Sequence, residues 1–96
     1  MQNEINIMLF VNSNCDNCKL MQHELIDNPP NGNVTIVHVK RDEHGGYPYR
    51  NRVKTFPTTV VYTYPYPYEI AWFEGFVSTD IINESIESFK LKFTIK

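Results

Sequence analysis

The chain has 96 residues, with nine Lys and Arg against 11 Asp and Glu and a formal charge of −2. That length suits one domain spanning 1–96, and 42% apolar residues with six Tyr, six Phe and one Trp describe a globular chain rather than a disordered one. So little positive charge excludes a nucleic-acid binder, which would need counterion release, and no apolar run reaches the ~18–20 residues of a membrane span. Met1 to Met8 holds Glu4 and no basic residue, so no secretory signal is expected and a cytoplasmic setting follows. The two cysteines, Cys15 and Cys18, lie too close together to staple distant segments. Ile5 to Val11 (INIMLFV) reads as a strand buried on both faces. Asn12-Ser13-Asn14 break it, and Ser13 or Asn14 is the expected N-cap of a helix. In that helix Cys18, Met21, Leu25 and Ile26 fall on the inner stripe. Asp27 to Gly32, with two prolines, ends it. Val34 to Val39 is a second strand. Lys40 to Lys54 is a connection with a helical turn over Tyr49 to Val53. Pro57 to Tyr64 and Glu69 to Phe76 are strands joined by Pro65-Tyr66-Pro67-Tyr68 as an antiparallel hairpin. Ser78 or Thr79 caps a last helix with Ile81, Ile82, Ile86 and Phe89 on its inner stripe. The predicted order is β-α-β-(loop or short helix)-β-β-α, an α/β fold with a four-stranded mixed sheet whose parallel pair is joined by the first helix.

Cys15-Asp16-Asn17-Cys18 is a C-x-x-C between a strand and a helix. Orphan N–H groups and the helix dipole at that point favour a thiolate on Cys15, the nucleophilic form. Cys18, one turn in, is placed to attack a mixed disulfide at Cys15 and close the pair. Two other readings stay open at this point. Zinc needs about four ligands, and only His23, His38 and His44 could add to the cysteines. A permanent structural disulfide has weak motive, because so short a loop removes little chain entropy.

Thr55-Phe56-Pro57-Thr58 opens a strand about forty residues after the cysteines. Together, Cys15-Asp16-Asn17-Cys18-Lys19, Val53 to Thr58, and Phe73-Glu74-Gly75-Phe76 with Ser78-Thr79-Asp80 resemble the thioredoxin superfamily over nearly the whole chain. The resemblance implies a thiol–disulfide oxidoreductase that needs no bound cofactor. In it Cys15 is the nucleophile, Cys18 resolves, and Phe56, Pro57 and Thr58 align an extended substrate, with Pro57 in a cis peptide bond. It implies protein disulfides as substrates, ribonucleotide reductase among the candidate recipients, and a flavin reductase with NADPH or glutathione as electron donor. A monomer of glutaredoxin size is expected, with fourteen residues before Cys15, and a bacterial virus is one setting in which such small proteins occur. Leu9 stands where long thioredoxins carry a buried acid, Asn14 where they carry a tryptophan, and Gly75-Phe76-Val77-Ser78 matches a glutathione site poorly.

Asp16, Asn17 and Lys19 tune the pair. The charge of Asp16 opposes a thiolate on Cys15 and favours a reductase over an oxidase. His38, on the second strand, is a candidate proton acceptor for Cys18 if its face turns toward the cysteines. Tyr62, Tyr64, Tyr66 and Tyr68 alternate, which puts the strand members on one face. A binding module using this hairpin, without redox cycling, is the alternative function. Lys40, Arg41, Arg50, Arg52 and Lys54 form a modest basic cluster, read as a solvated loop or a means of steering acidic substrates.

Overall fold

The computed structural model describes residues 3–94. In chain order these form β1 (Glu4–Val11), α1 (Asp16–Asp27), β2 (Asn33–His38), a 3₁₀ turn (Tyr49–Arg52), β3 (Thr58–Tyr64), β4 (Glu69–Glu74) and α2 (Thr79–Thr94). This is the expected order of elements. The four strands make one mixed sheet in the order β2-β1-β3-β4. β1 runs parallel to β2 and antiparallel to β3, and β3 runs antiparallel to β4. As an inner strand, β1 needs apolar side chains on both faces, which is why INIMLFV carries almost no alternation.

Each face has its own core. Ile7, Leu9 and Val11 point to the side where Cys18, Met21 and Leu25 of α1 meet Ile82 and Ile86 of α2. Met8 and Phe10 point to the other side and pack with Val37, Val60 and Tyr49. Burying each of these aliphatic side chains stabilises the fold by roughly 1.5–3 kcal/mol. Among the described residues no α-helix covers the second side; the segment between β2 and β3, with its 3₁₀ turn, does. The Arg50 guanidinium holds that segment in shape. Its Nη1 donates to the carbonyls of Asp42 (2.6 Å) and Gly45 (3.1 Å), and its Nη2 donates to that of Val39. Gly46 sits on the Phe10 ring at φ 83°, and a Cβ there would lie 2.3 Å from Phe10 Cε2. Tyr49 packs against Tyr62 with ring centroids 5.1 Å apart and planes tilted by 47°. Burial raises the hydroxyl pKa of both tyrosines, so both stay neutral at physiological pH.

The two helices are tied together at one end. Glu24 near the end of α1 accepts the Thr79 N–H (2.8 Å) at Oε2 and the Asn28 side-chain amide (3.3 Å) at Oε1. The Thr79 hydroxyl donates to the Asn28 carbonyl at 2.6 Å. The bond from the Thr79 backbone holds the Glu24 carboxyl below its ordinary pKa. Of the two expected caps for α2, the side chain that caps is Ser78, whose Oγ accepts the Ile81 N–H.

Several expectations need correction. Ile26 is 69% exposed and Ile81 is 46% exposed. Each stands about 100° around its helix from a neighbour, Leu25 or Ile82, that takes the inward position. β4 ends at Glu74 rather than Phe76, because Gly75 turns the chain at φ 86°. The strand tyrosines, Tyr62 and Tyr64, share one side of β3 as expected, while Tyr66 and Tyr68 form a separate edge-on pair in the connection, so the four make no single surface. Tyr62 belongs to the loop-covered side, Tyr64 is exposed, and Tyr68 lies 6.3 Å from Phe89 of α2. The β3–β4 register shifts between Val61 and Tyr62, while the pairing of β3 with β1 stays regular to Tyr64. The basic cluster is also dispersed: Arg50 is the bracket just described. Arg52 forks onto Glu69 (2.6 and 3.2 Å) and lies 4.3 Å above the Trp72 ring. Among the described residues no helix is long and apolar enough to cross a membrane.

Candidate active site at the start of helix α1

The entry to α1 sets the geometry of the cysteines. Asn14 adopts the left-handed conformation at φ 57°, which asparagine tolerates better than most residues. That turn makes Cys15 itself the N-cap, in extended conformation, rather than Asn14 or Ser13. Its sulfur takes the role usually given to an oxygen and accepts the Cys18 backbone N–H at 3.2 Å. Cys15 and Cys18 are joined as a disulfide, with Cα atoms 5.2 Å apart. Cys15 is half-buried, whereas Cys18 is 1% exposed and belongs to the core beneath the helices. One sulfur can therefore meet a partner and the other cannot. Asp16, Asn17 and Lys19 are exposed around the first turn, and the Lys19 N–H donates to the Cys15 carbonyl.

The proline segment faces this pair. The Phe56 carbonyl oxygen lies 3.8 Å from Cys15 Sγ. A disulfide sulfur has no proton, so this is a contact here; in the dithiol the Cys15 thiol has an acceptor in place. The Phe56–Pro57 peptide bond is cis, as are Tyr47–Pro48 and Tyr64–Pro65. Phe56 precedes the point where the β3 ladder begins and packs against both cores. Two clasps fix the segment. The Thr58 hydroxyl donates to the Thr55 carbonyl at 2.7 Å, and the Gly75 N–H donates to the Pro57 carbonyl at 2.8 Å. The structure thus brings Cys15, Cys18, Phe56, Pro57 and Thr58 to one end of the sheet. Neither clasp is apparent from sequence, although Thr55-x-x-Thr58 and the glycine after Glu74 are its outward signs.

His38 lies on the helix-covered side, in register with Val11. Its backbone N–H donates to the Asp42 carboxylate at 2.9 Å, and no hydrogen bond joins it to either cysteine among the described residues. Leu9 is fully buried in the same core as Cys18. Among the described residues no three His, Cys, Asp or Glu side chains cluster as metal ligands would.

No protein-family model and no curated protein sequence matches the chain. Solved structures do. A thioredoxin-2 described as a component of the malaria parasite protein secretion machinery superposes with TM-score 0.71 at 19% identity, over 92% of this chain and 85% of that one. Chloroplastic thioredoxin z gives TM-score 0.70 at 19% identity, over 92% and 80%. Thioredoxin 1 of Thermosipho africanus gives TM-score 0.63 at 25% identity, over 95% and 99%.

Proposed function

We propose that this chain, which has the thioredoxin fold and its C-x-x-C pair, is a thiol–disulfide oxidoreductase that works as a reductase of protein disulfides. One observation carries the reading: Cys15 caps α1 with its own sulfur, 3.2 Å from the Cys18 N–H and beside the Phe56 carbonyl. A donor aimed at the sulfur and the positive end of a helix both favour the thiolate, so Cys15 is the attacking group. The Cys15 thiolate attacks one sulfur of the substrate disulfide. A mixed disulfide forms and the other substrate sulfur leaves as a thiolate. Cys18 gives up its proton and attacks Cys15 Sγ, the bond to substrate breaks, and the second substrate thiolate leaves and takes up a proton. The Cys15–Cys18 disulfide is the oxidised product. Two electrons and two protons from an external donor, a flavin reductase with NADPH or glutathione, restore the dithiol. Half-buried Phe56 borders the place of the substrate chain, and Pro57 and Thr58, both buried, hold it there from behind. Pro57 offers no backbone donor there, and the Phe56 main chain is open to an extended segment. Ribonucleotide reductase is one protein of the required kind, and a reducing compartment such as the cytoplasm suits this chemistry.

Insulin reduction in dithiothreitol tests the reading. The wild type is expected to accelerate precipitation and Cys15→Ser to abolish the effect. No acceleration by the wild type would leave the chain a binding module. The reduction potential separates directions of use: a value near about −270 mV fits a reductase, and one near about −120 mV would overturn that part.

A further inference from the structure

Four threonines are buried: Thr58, Thr59, Thr63 and Thr79. Three hydroxyls have a carbonyl to donate to, on Thr55, Tyr66 and Asn28 respectively. Thr59 Oγ1 has none, and it is the one buried side-chain oxygen or nitrogen without a hydrogen bond among the described residues. A buried hydroxyl left unpaired lowers stability, and a valine would fill the same space without that cost. Its position gives it a use. Thr59 is two residues past Pro57, on the side of β3 that Val61 shares, and its register neighbours are Leu9 on β1 and Phe73 on β4. Leu9, Val61 and Phe73 pack in one cluster with Cys18. Those three are apolar, so in this layer of the sheet Thr59 supplies the polar group. Cys18 is shut away from solvent, and in the dithiol its sulfur must find a partner within the protein.

We infer that the Thr59 hydroxyl is the buried hydrogen-bond donor to the Cys18 sulfur in the reduced protein, directly or through one enclosed water. This deepens the oxidoreductase reading and rests on it for its purpose. In the resolving step the Cys18 proton passes to the departing substrate thiolate, the Cys18 thiolate attacks Cys15 Sγ, and the Cys15–substrate bond breaks. Thr59 changes neither protonation nor oxidation state. It is a positioning residue that favours the thiolate of Cys18 over the thiol.

The test is the titration of Cys18 in Cys15→Ser protein, read by the ultraviolet absorbance of the thiolate, which needs no reagent to reach the buried sulfur, with Thr59, Thr59→Val and Thr59→Ser compared. Thr59→Val is expected to raise the midpoint by about one pH unit, the scale of one hydrogen bond to a charged group. Thr59→Ser should keep the midpoint of the parent. In the two-cysteine protein, at pH above the Cys18 midpoint, Thr59→Val should shift the balance with dithiothreitol about tenfold toward the disulfide. An unchanged midpoint, with a gain in thermal stability alone, would overturn the inference. If valine crowds the site, Thr59→Ala gives the same titration. This readout does not depend on insulin reduction, so failure of the broader reading would show separately.

Discussion

Cys15 is the cap of α1 and, in the function proposed above, also the nucleophile, and substitutions separate the two. In Cys15→Ser the oxygen can still accept the Cys18 N–H. In Cys15→Ala nothing can. Both variants lack the disulfide, so the cap is the difference left between them. Cys15→Ala is expected to be less stable than Cys15→Ser by about 1 kcal/mol in urea unfolding, while both are equally inactive on insulin. Equal stabilities would mean that the sulfur contributes no cap. The sequence shows the cysteine pair and the Phe56-Pro57-Thr58 segment openly, because their spacing is tied to chemistry. It does not show the cap. Ser13 and Asn14 outrank cysteine as caps, and nothing in the order of residues reveals that Asn14 spends itself on a left-handed turn. Thr59 is hidden for a similar reason: β-branched residues are ordinary in strands, and only the register shows which hydroxyl lacks a partner.

At the scale of elements, α1 and α2 meet through Glu24, Asn28 and Thr79. The Glu24 carboxyl is held below its ordinary pKa of 4.5, chiefly by the Thr79 N–H. The folded protein therefore binds this proton less readily than the unfolded chain. Its contribution to stability is complete above about pH 4.5 and is lost as pH falls through the lowered folded value. Glu24→Gln removes the titrating group. The gap in melting temperature between wild type and Glu24→Gln should be constant near neutral pH and close below about pH 4.5. A gap independent of pH would show that the charge is immaterial. This junction was not legible, since it joins residues 55 apart in the chain. The helices themselves were, apart from the choice within Leu25-Ile26 and Ile81-Ile82. Adjacent apolar residues fit a helical period almost equally well, and contact with the sheet decides between them.

For the molecule as a whole, both cores follow from the two inner strands, β1 and β3, with alternate side chains on opposite sides. The two sides are unlike in how they are closed. Helices satisfy their own backbone groups by many repeated bonds, so no single one is decisive. The segment over Met8 and Phe10 depends on one guanidinium for three of its carbonyls. Arg50→Met should lower stability by about 2 kcal/mol and speed amide exchange over residues 40–53, with the reduction potential unchanged. Uniform exchange, or a changed potential, would show the segment and the cysteines to be one cooperative unit. If the segment opens by itself, the sheet has a door on one side that swings while the redox end stays assembled. A protease would then make its first cut between the two halves of the sheet, well outside the Cys15–Cys18 loop in sequence, and a nicked chain would still carry its disulfide.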